Sequence, residues 1–211
     1  MSYSVKEIFF TLQGEGANTG RAAVFCRFTG CNLWTGREQD RNDAICRFCD
    51  TDFVGTNGVG GGRFADAGTL AGRVRAAWGD RGDGDRLVVL TGGEPLLQAD
   101  VELVGALHQQ GFGVAIETNG TIPAPDGIDW ICVSPKAGTE IVQRRGDELK
   151  LVFPQEGISP VACEEWKFRH FFLQPMDGPR RRENTEEAAR YCMQRPQWRL
   201  SLQTHKIVGF P

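Results

Sequence analysis

The chain has 211 residues, 40% of them hydrophobic and 24% charged, which allows one ordinary-sized domain with a sizeable core. Its formal net charge of −3 gives no basis for general nucleic-acid or anionic-membrane binding. No apolar run is long enough to span a bilayer, no signal peptide is visible, and seven cysteines, an odd number, fit a reducing cytoplasm better than a disulfide framework.

Residues 5–10 predict a short strand. It runs into Thr11-Leu12-Gln13-Gly14-Glu15-Gly16, a polar loop whose glycines permit close backbone approach or simply make a turn. Residues 22–28 predict a strand with Val24, Cys26 and Phe28 on one face and Ala23, Phe25 and Arg27 on the other. Arg27 in so apolar a strand requires a partner, because an unpaired buried charge is costly. A ligand carboxylate would bind it in bidentate fashion; an internal Asp or Glu would also serve. Cys26 reads as a small core residue.

Cys31, Cys46 and Cys49 come next, with fourteen residues in the first gap and two in the second. No fourth Cys or His follows nearby. Structural zinc takes four closed ligands, whereas three thiolates on a four-iron cluster leave one iron open for chemistry. The alternatives are zinc with a distant fourth ligand (His108, Cys132 or His205) and buried thiols without metal. Residues 32–45 predict a polar surface excursion with room for one helical turn. Asp50-Thr51-Asp52 carries hard oxygen donors of the kind Mg²⁺ takes, or is a solvated cap. The glycine-rich run 55–62 reads as a loop and lacks the Gly-Lys-Ser/Thr ending of a phosphate loop.

Thereafter helices (67–78, 100–110, a weak one at 161–167, and 185–195 capped by Thr185) alternate with strands (87–90, 113–116, 130–133, 148–153, 170–173 and 198–202). This alternation predicts parallel strands with crossover helices, and the polar motifs collect at the strands' carboxyl ends. A closed eight-fold barrel typically needs ~250 residues. The expectation is therefore a single-domain α/β fold over 1–211, a partial, open, incomplete β/α barrel with a cluster-loop insertion at about 32–45.

Cys31, Cys46 and Cys49 followed by Thr91-Gly92-Gly93-Glu94-Pro95 resemble the radical S-adenosylmethionine (SAM) superfamily, whose usual spacing is C-x3-C-x2-C. Thr11-Leu12-Gln13-Gly14-Glu15-Gly16, Phe25-Cys26-Arg27-Phe28, Gly30-Cys31-Asn32-Leu33-Trp34, Cys49-Asp50-Thr51, Glu117-Thr118-Asn119-Gly120, Ser134-Pro135-Lys136 and Gln174-Pro175-Met176-Asp177 resemble the 7-carboxy-7-deazaguanine synthase family. Some members of that family carry the same expanded cysteine gap. The likeness runs from about residue 3 to residue 211.

The resemblance implies that the three cysteines hold a 4Fe-4S cluster and that SAM binds the open iron. An electron from the cluster cleaves SAM, and the resulting 5′-deoxyadenosyl radical takes hydrogen from C6 of 6-carboxy-5,6,7,8-tetrahydropterin. Ring contraction with loss of ammonia yields 7-carboxy-7-deazaguanine for queuosine and other 7-deazapurines, and SAM is regenerated. By the same resemblance Phe48, Cys49, Asp50, Gly92, Gly93, Glu94, Ser134, Pro135, Lys136, Gln174, Pro175, Met176 and Asp177 bind SAM, with Glu94 accepting from its ammonium. Leu12, Gln13, Gly14, Glu15, Arg27, Thr91, Glu117, Asn119, His205 and the carboxylate of Pro211 bind substrate. Thr51 ligates Mg²⁺ together with substrate and water. A flavodoxin as electron donor and a homodimer are further implications of the resemblance; direct nucleic-acid and membrane binding are not implied. A radical SAM activase acting on a partner protein and a non-enzymatic zinc module are the competing readings.

Overall fold

A computed structural model of the protein describes residues 2–82 and 84–211. The strands are β1 (Tyr3–Leu12), β2 (Ala22–Phe28), β3 (Gly62–Phe64), β4 (Arg86–Gly92), β5 (Phe112–Thr118), β6 (Trp130–Val133), β7 (Arg145–Phe153), β8 (Lys167–Pro175) and β9 (Trp198–Leu200). The helices are α1 (Ala67–Trp78), α2 (Val101–Gln109), α3 (Pro160–Cys163), α4 (Arg181–Gln194) and α5 (Thr204–Val208). All nine strands form one sheet in the order β3-β1-β2-β4-β5-β6-β7-β8-β9. Its two ends do not pair, so the sheet is open.

From β2 onward every neighbouring pair is parallel, as the alternation predicts; β1 runs antiparallel to both β2 and β3. A parallel pair needs a crossover, and α1, α2 and α4 supply three of them. Asp66 and Asp100 cap α1 and α2 by accepting from the backbone N–H of Thr69 and Leu103. Among the described residues, 119–129 and 134–144 cross over without a helix, which leaves the β5–β7 stretch thinly covered.

Period-two alternation divides the sheet's two faces. On one face Val24, Cys26, Phe28, Val88, Leu90, Val114 and Ile116 pack against Leu70, Val74 and Leu103 of α1 and α2. Trp78 closes this core with edge contacts to Phe10 and Phe112. A second core joins Leu149, Leu151 and Leu173 to Ala188 of α4 and Trp198. The other face is apolar only near the strands' amino ends, at Ala23, Leu87, Val89 and Ala115. Toward the carboxyl ends it turns polar.

Some elements differ from expectation. The glycine run does not end as a loop: Gly62 opens β3, and Gly58 and Gly61 pass so close to the Lys6 carbonyl (2.7 and 2.1 Å from where a Cβ would sit) that a side chain has no room. Thr185 is not a cap; α4 starts earlier, and the Thr185 hydroxyl donates to the Arg181 carbonyl inside it. The helix expected at 161–167 is the four-residue α3. The last strand stops at Leu200, and α5, which the periodicity did not suggest, follows. All seven cysteines are free thiols, with Cys26 in the core as expected. Among the described residues no helix is long and apolar enough to cross a membrane.

Candidate active site

A cavity of about 380 Å³ opens at the carboxyl ends of the strands. Cys31, Cys46 and Cys49 line one wall. They are brought there by a small core of Trp34, Ala44 and Phe53, against which Cys31 and Cys49 pack. Arg41 fastens the excursion: its guanidinium lies 4.1 Å over the Trp34 ring and donates to the carbonyls of Arg47 and Cys49. Residues Glu38–Asp43 form the single 3₁₀ turn of this segment.

The Cys46 thiol donates to Cys49, and that bond, opposed by burial, holds Cys49 at about 6. Burial pushes Cys31 up. Cys49 is thus the thiol most ready to act as a thiolate ligand. Among the described residues no three His, Cys, Asp or Glu side chains converge as a lone metal ion would require. Of the distant ligands considered for zinc, His108 bonds Asp129, and Cys132 is buried beside Glu148.

The glycines of Thr91-Gly92-Gly93-Glu94 serve chain packing. A Cβ on Gly92 would lie 2.2 Å from the Phe28 carbonyl, and one on Gly93 2.1 Å from the Gly30 carbonyl and 2.8 Å from Cys31 Cβ. The close approach is to the strand leading into Cys31, and Glu94 N–H donates to the Gly30 carbonyl across it. Glu94 does not itself line the cavity. It is fully buried behind the wall, with one carboxylate oxygen accepting from Leu96 N–H and the Thr118 hydroxyl and the other from Asn119 N–H. Three of its lone pairs bind the end of β4 to the end of β5.

The polar end of the inner face forms the floor. Arg27 finds the internal carboxylate that its strand requires: Nε donates to Glu7 at 2.8 Å. Among the described residues its two Nη groups have no hydrogen-bond partner, so the fork remains for a carboxylate in the cavity. Lys150, on β7, is buried and bridges Glu15 and Glu117 at 2.7 Å each. Gln13 donates to Glu117 and Gln203 to Glu15. Burial alone would raise the Glu15 carboxyl, but the Lys150 charge and hydrogen bond bring it down to about 2. His205 sits over Gly14, whose absent Cβ would fall 2.4 Å from the imidazole Nδ1, and burial lowers its basicity.

The predicted oxygen donors for Mg²⁺ are divided: Lys6 pairs with Asp52, and Lys206 and Gln203 donate to Asp50. All three line the cavity, and among the described residues Thr51 has no such side-chain partner. On the far wall Lys136 donates to the Ser134 carbonyl and hydroxyl and lies 5.8 Å from the Phe48 ring.

Of the expected site residues, Leu12, Gln13, Gly14, Glu15, Arg27, Phe48, Asp50, Thr51, Thr91, Gly92, Gly93, Glu117, Asn119, Ser134, Lys136, Gln174, Pro175, Asp177, His205 and Pro211 line this cavity with the three cysteines. Glu94, Pro135 and Met176 do not. The Asn119 amide is occupied by Asn32 and Thr121, tying β5 to the cysteine excursion. Lining residues that were not expected in the site include Lys150, Gln203 and Lys206. Lys150 had a signal, since Glu148, Lys150 and Val152 alternate with the apolar Leu149 and Leu151. Gln203 and Lys206 follow the last strand in a segment with no periodicity.

No protein-family model matches the chain. Among curated proteins, 7-carboxy-7-deazaguanine synthase of Bordetella pertussis is 66% identical over 211 residues, covering all of both chains. The protein of that name from Caulobacter vibrioides is 63% identical over 211 residues, again covering both chains completely. Among solved structures, that of QueE from Escherichia coli superposes with a TM-score of 0.68 at 27% identity, covering 96% of this chain and 94% of that one. With this identity over its entire length and an open α/β sheet that gathers three thiols and a polar floor into one cavity, the chain belongs to the 7-carboxy-7-deazaguanine synthase family.

Proposed function

We propose that the chain is a radical SAM lyase that converts 6-carboxy-5,6,7,8-tetrahydropterin to 7-carboxy-7-deazaguanine with loss of ammonia, in the route to queuosine and related 7-deazapurines. The observation that carries this reading is the convergence of three cysteines and the Arg27, Glu15 and Glu117 groups on one cavity. Thiol-only donors on one wall suit an iron–sulfur cluster held by Cys31, Cys46 and Cys49. When bound, the cluster supplies the electron that cleaves SAM reductively.

The protein's own residues do the remaining work. The free Nη fork of Arg27 receives the substrate carboxylate. Glu15 and Glu117 accept N–H bonds from the pterin edge, with Gln13 and Thr91 alongside and the segment His205 to Pro211 above. Phe48, Asp50, Gly92, Gly93, Ser134, Lys136, Gln174, Pro175 and Asp177 line the part of the cavity assigned to SAM; Pro135 and Met176 support it from outside. Thr51 would complete an Mg²⁺ shell only with substrate and water, since one hydroxyl is a poor magnesium site. A flavodoxin electron donor, a homodimer and a cytoplasmic location belong to the proposal on the family resemblance.

The test is anaerobic iron–sulfur reconstitution followed by SAM, dithionite, Mg²⁺ and 6-carboxytetrahydropterin, with product read by mass. Formation of 7-carboxy-7-deazaguanine is the expected result. SAM cleavage without it would overturn the substrate; zinc uptake with no cluster would overturn the reading at the cysteines.

A further inference from the structure

Lys150 occupies an unusual position. It lies in mid-strand on β7, its side chain only 4% exposed, at the centre of the cavity floor. Two of its three N–H donors go to different carboxylates, from the loop after β1 and from the end of β5. Each carboxylate's other oxygen is held by a neutral amide, Gln203 on Glu15 and Gln13 on Glu117. The four groups come from three segments far apart in sequence, Gln13 and Glu15 sharing one, so the arrangement fixes two acceptors relative to each other across the sheet.

We infer that Lys150 is a positioning residue that holds Glu15 and Glu117 as a fixed pair of anionic acceptors, so that the floor selects a ligand edge carrying adjacent N–H donors, such as the amino and ring N–H edge of a pterin. The inference rests on the proposed function. Lys150 itself need not touch the reacting atoms. Its charge matters because the groups around it are mostly acidic: Glu15 on the β1–β2 loop, Glu117 on β5, Cys132 on β6 and Glu148 on β7, against which stand Lys136 after β6 and His205 on α5. Burial disfavours the ammonium, but these acidic neighbours together hold it charged well above the usual lysine range. Without it, two buried carboxylates face each other with no counter-charge, and at least one takes a proton. A protonated floor presents a donor where the ligand also presents donors.

The experiment compares the reconstituted wild-type enzyme with Lys150→Met and Lys150→Arg, measuring KM and kcat for 6-carboxytetrahydropterin from about pH 3 to about pH 9. In Lys150→Met, KM should rise roughly tenfold or more and the acid limb of kcat/KM should move up by ~1–3 pH units, the range an opposite charge moves a carboxylate. Lys150→Arg should recover part of both. Should Lys150→Met fail to fold, Lys150→Met with Glu117→Gln removes one charge of each sign, and the same raised acid limb, now from Glu15, is expected. A wild-type acid limb and KM in the folded variant overturns the inference, as does loss of folding in both, which would make Lys150 structural only. Absence of turnover in the wild type would instead overturn the functional reading, and this inference with it.

Discussion

Glu94 shows how one buried side chain can govern two strand ends. Its carboxylate accepts three hydrogen bonds from Leu96, Thr118 and Asn119 with no lysine or arginine bonded to it. Glu94→Gln would keep the size but turn an oxygen acceptor into an NH₂ that meets a donor. We expect a loss of about 2–3 kcal/mol in urea unfolding, the scale of hydrogen bonds to a charged group; a loss within error would mean that the three bonds are not made. Glu15 gives a pH dependence of definite sign. Its carboxyl is depressed from 4.5 to about 2 by Lys150. A depressed carboxyl stabilises the fold above the unfolded pKa, and this contribution disappears as pH falls through the folded one. Stability of the cluster-free protein should therefore decline between about pH 5 and about pH 2. Lys150→Met should abolish the Glu15 part of that slope, an outcome that denaturant titrations at stepped pH would read.

At the level of elements, the segment between Cys31 and Cys49 owes its shape to Trp34, Phe53 and Arg41 more than to secondary structure. Trp34 meets Phe53 edge-on with ring centroids 5.6 Å apart, and Arg41 covers it. Trp34→Ala should remove this support at a local cost of about 3–5 kcal/mol, typical of deleting a buried tryptophan. On the proposed function, iron bound per chain after reconstitution should fall severalfold, while the amide exchange of β4 and β5 stays protected. Equal loss of protection throughout would show the small core to be part of global stability.

The same scale explains what was legible. The strands from β4 onward announced themselves by apolar runs ending in polar motifs, and α1 and α2 fall where helices were expected between them. Strand β3 was hidden because the glycines that let its approach cross β1 are those that signal a loop. Helix α5 has five residues and ends at Gly209 in the left-handed region, φ 83°, too short for any period to register. The three cysteines and Arg27 were readable because each is chemically out of place in its local setting. Glu94 was readable as a motif, but not its direction: which way a side chain faces at a strand end depends on the neighbouring strand. Lys150 was readable in principle from period two, yet its worth comes from Glu15 and Glu117, 135 and 33 residues away in sequence.

For the molecule as a whole, the decisive property is that the sheet does not close. β8 lies far along the nine-strand sheet from the paired β1 and β2, and their outlets are joined by the segment that follows β9. Thr204 donates to the Gly14 carbonyl through both N–H and hydroxyl, Lys206 pairs with Asp50 and Asp177, and the Thr11 hydroxyl donates to the Pro211 carbonyl at 2.6 Å. No buried apolar side chain anchors α5. Its hold is polar and partly exposed, so Lys206→Ala should free it. Limited proteolysis should then cut within 204–211 several times faster than in the wild type, with the sheet intact; an unchanged rate would show that Thr204 and Thr11 suffice.

The position of that strap in the chain has a consequence during synthesis. The rest of the cavity wall, from Glu7 to Gln203, is translated before residues 204–211. The strap can therefore close the chamber only after the whole sequence of the sheet and both apolar cores has been made.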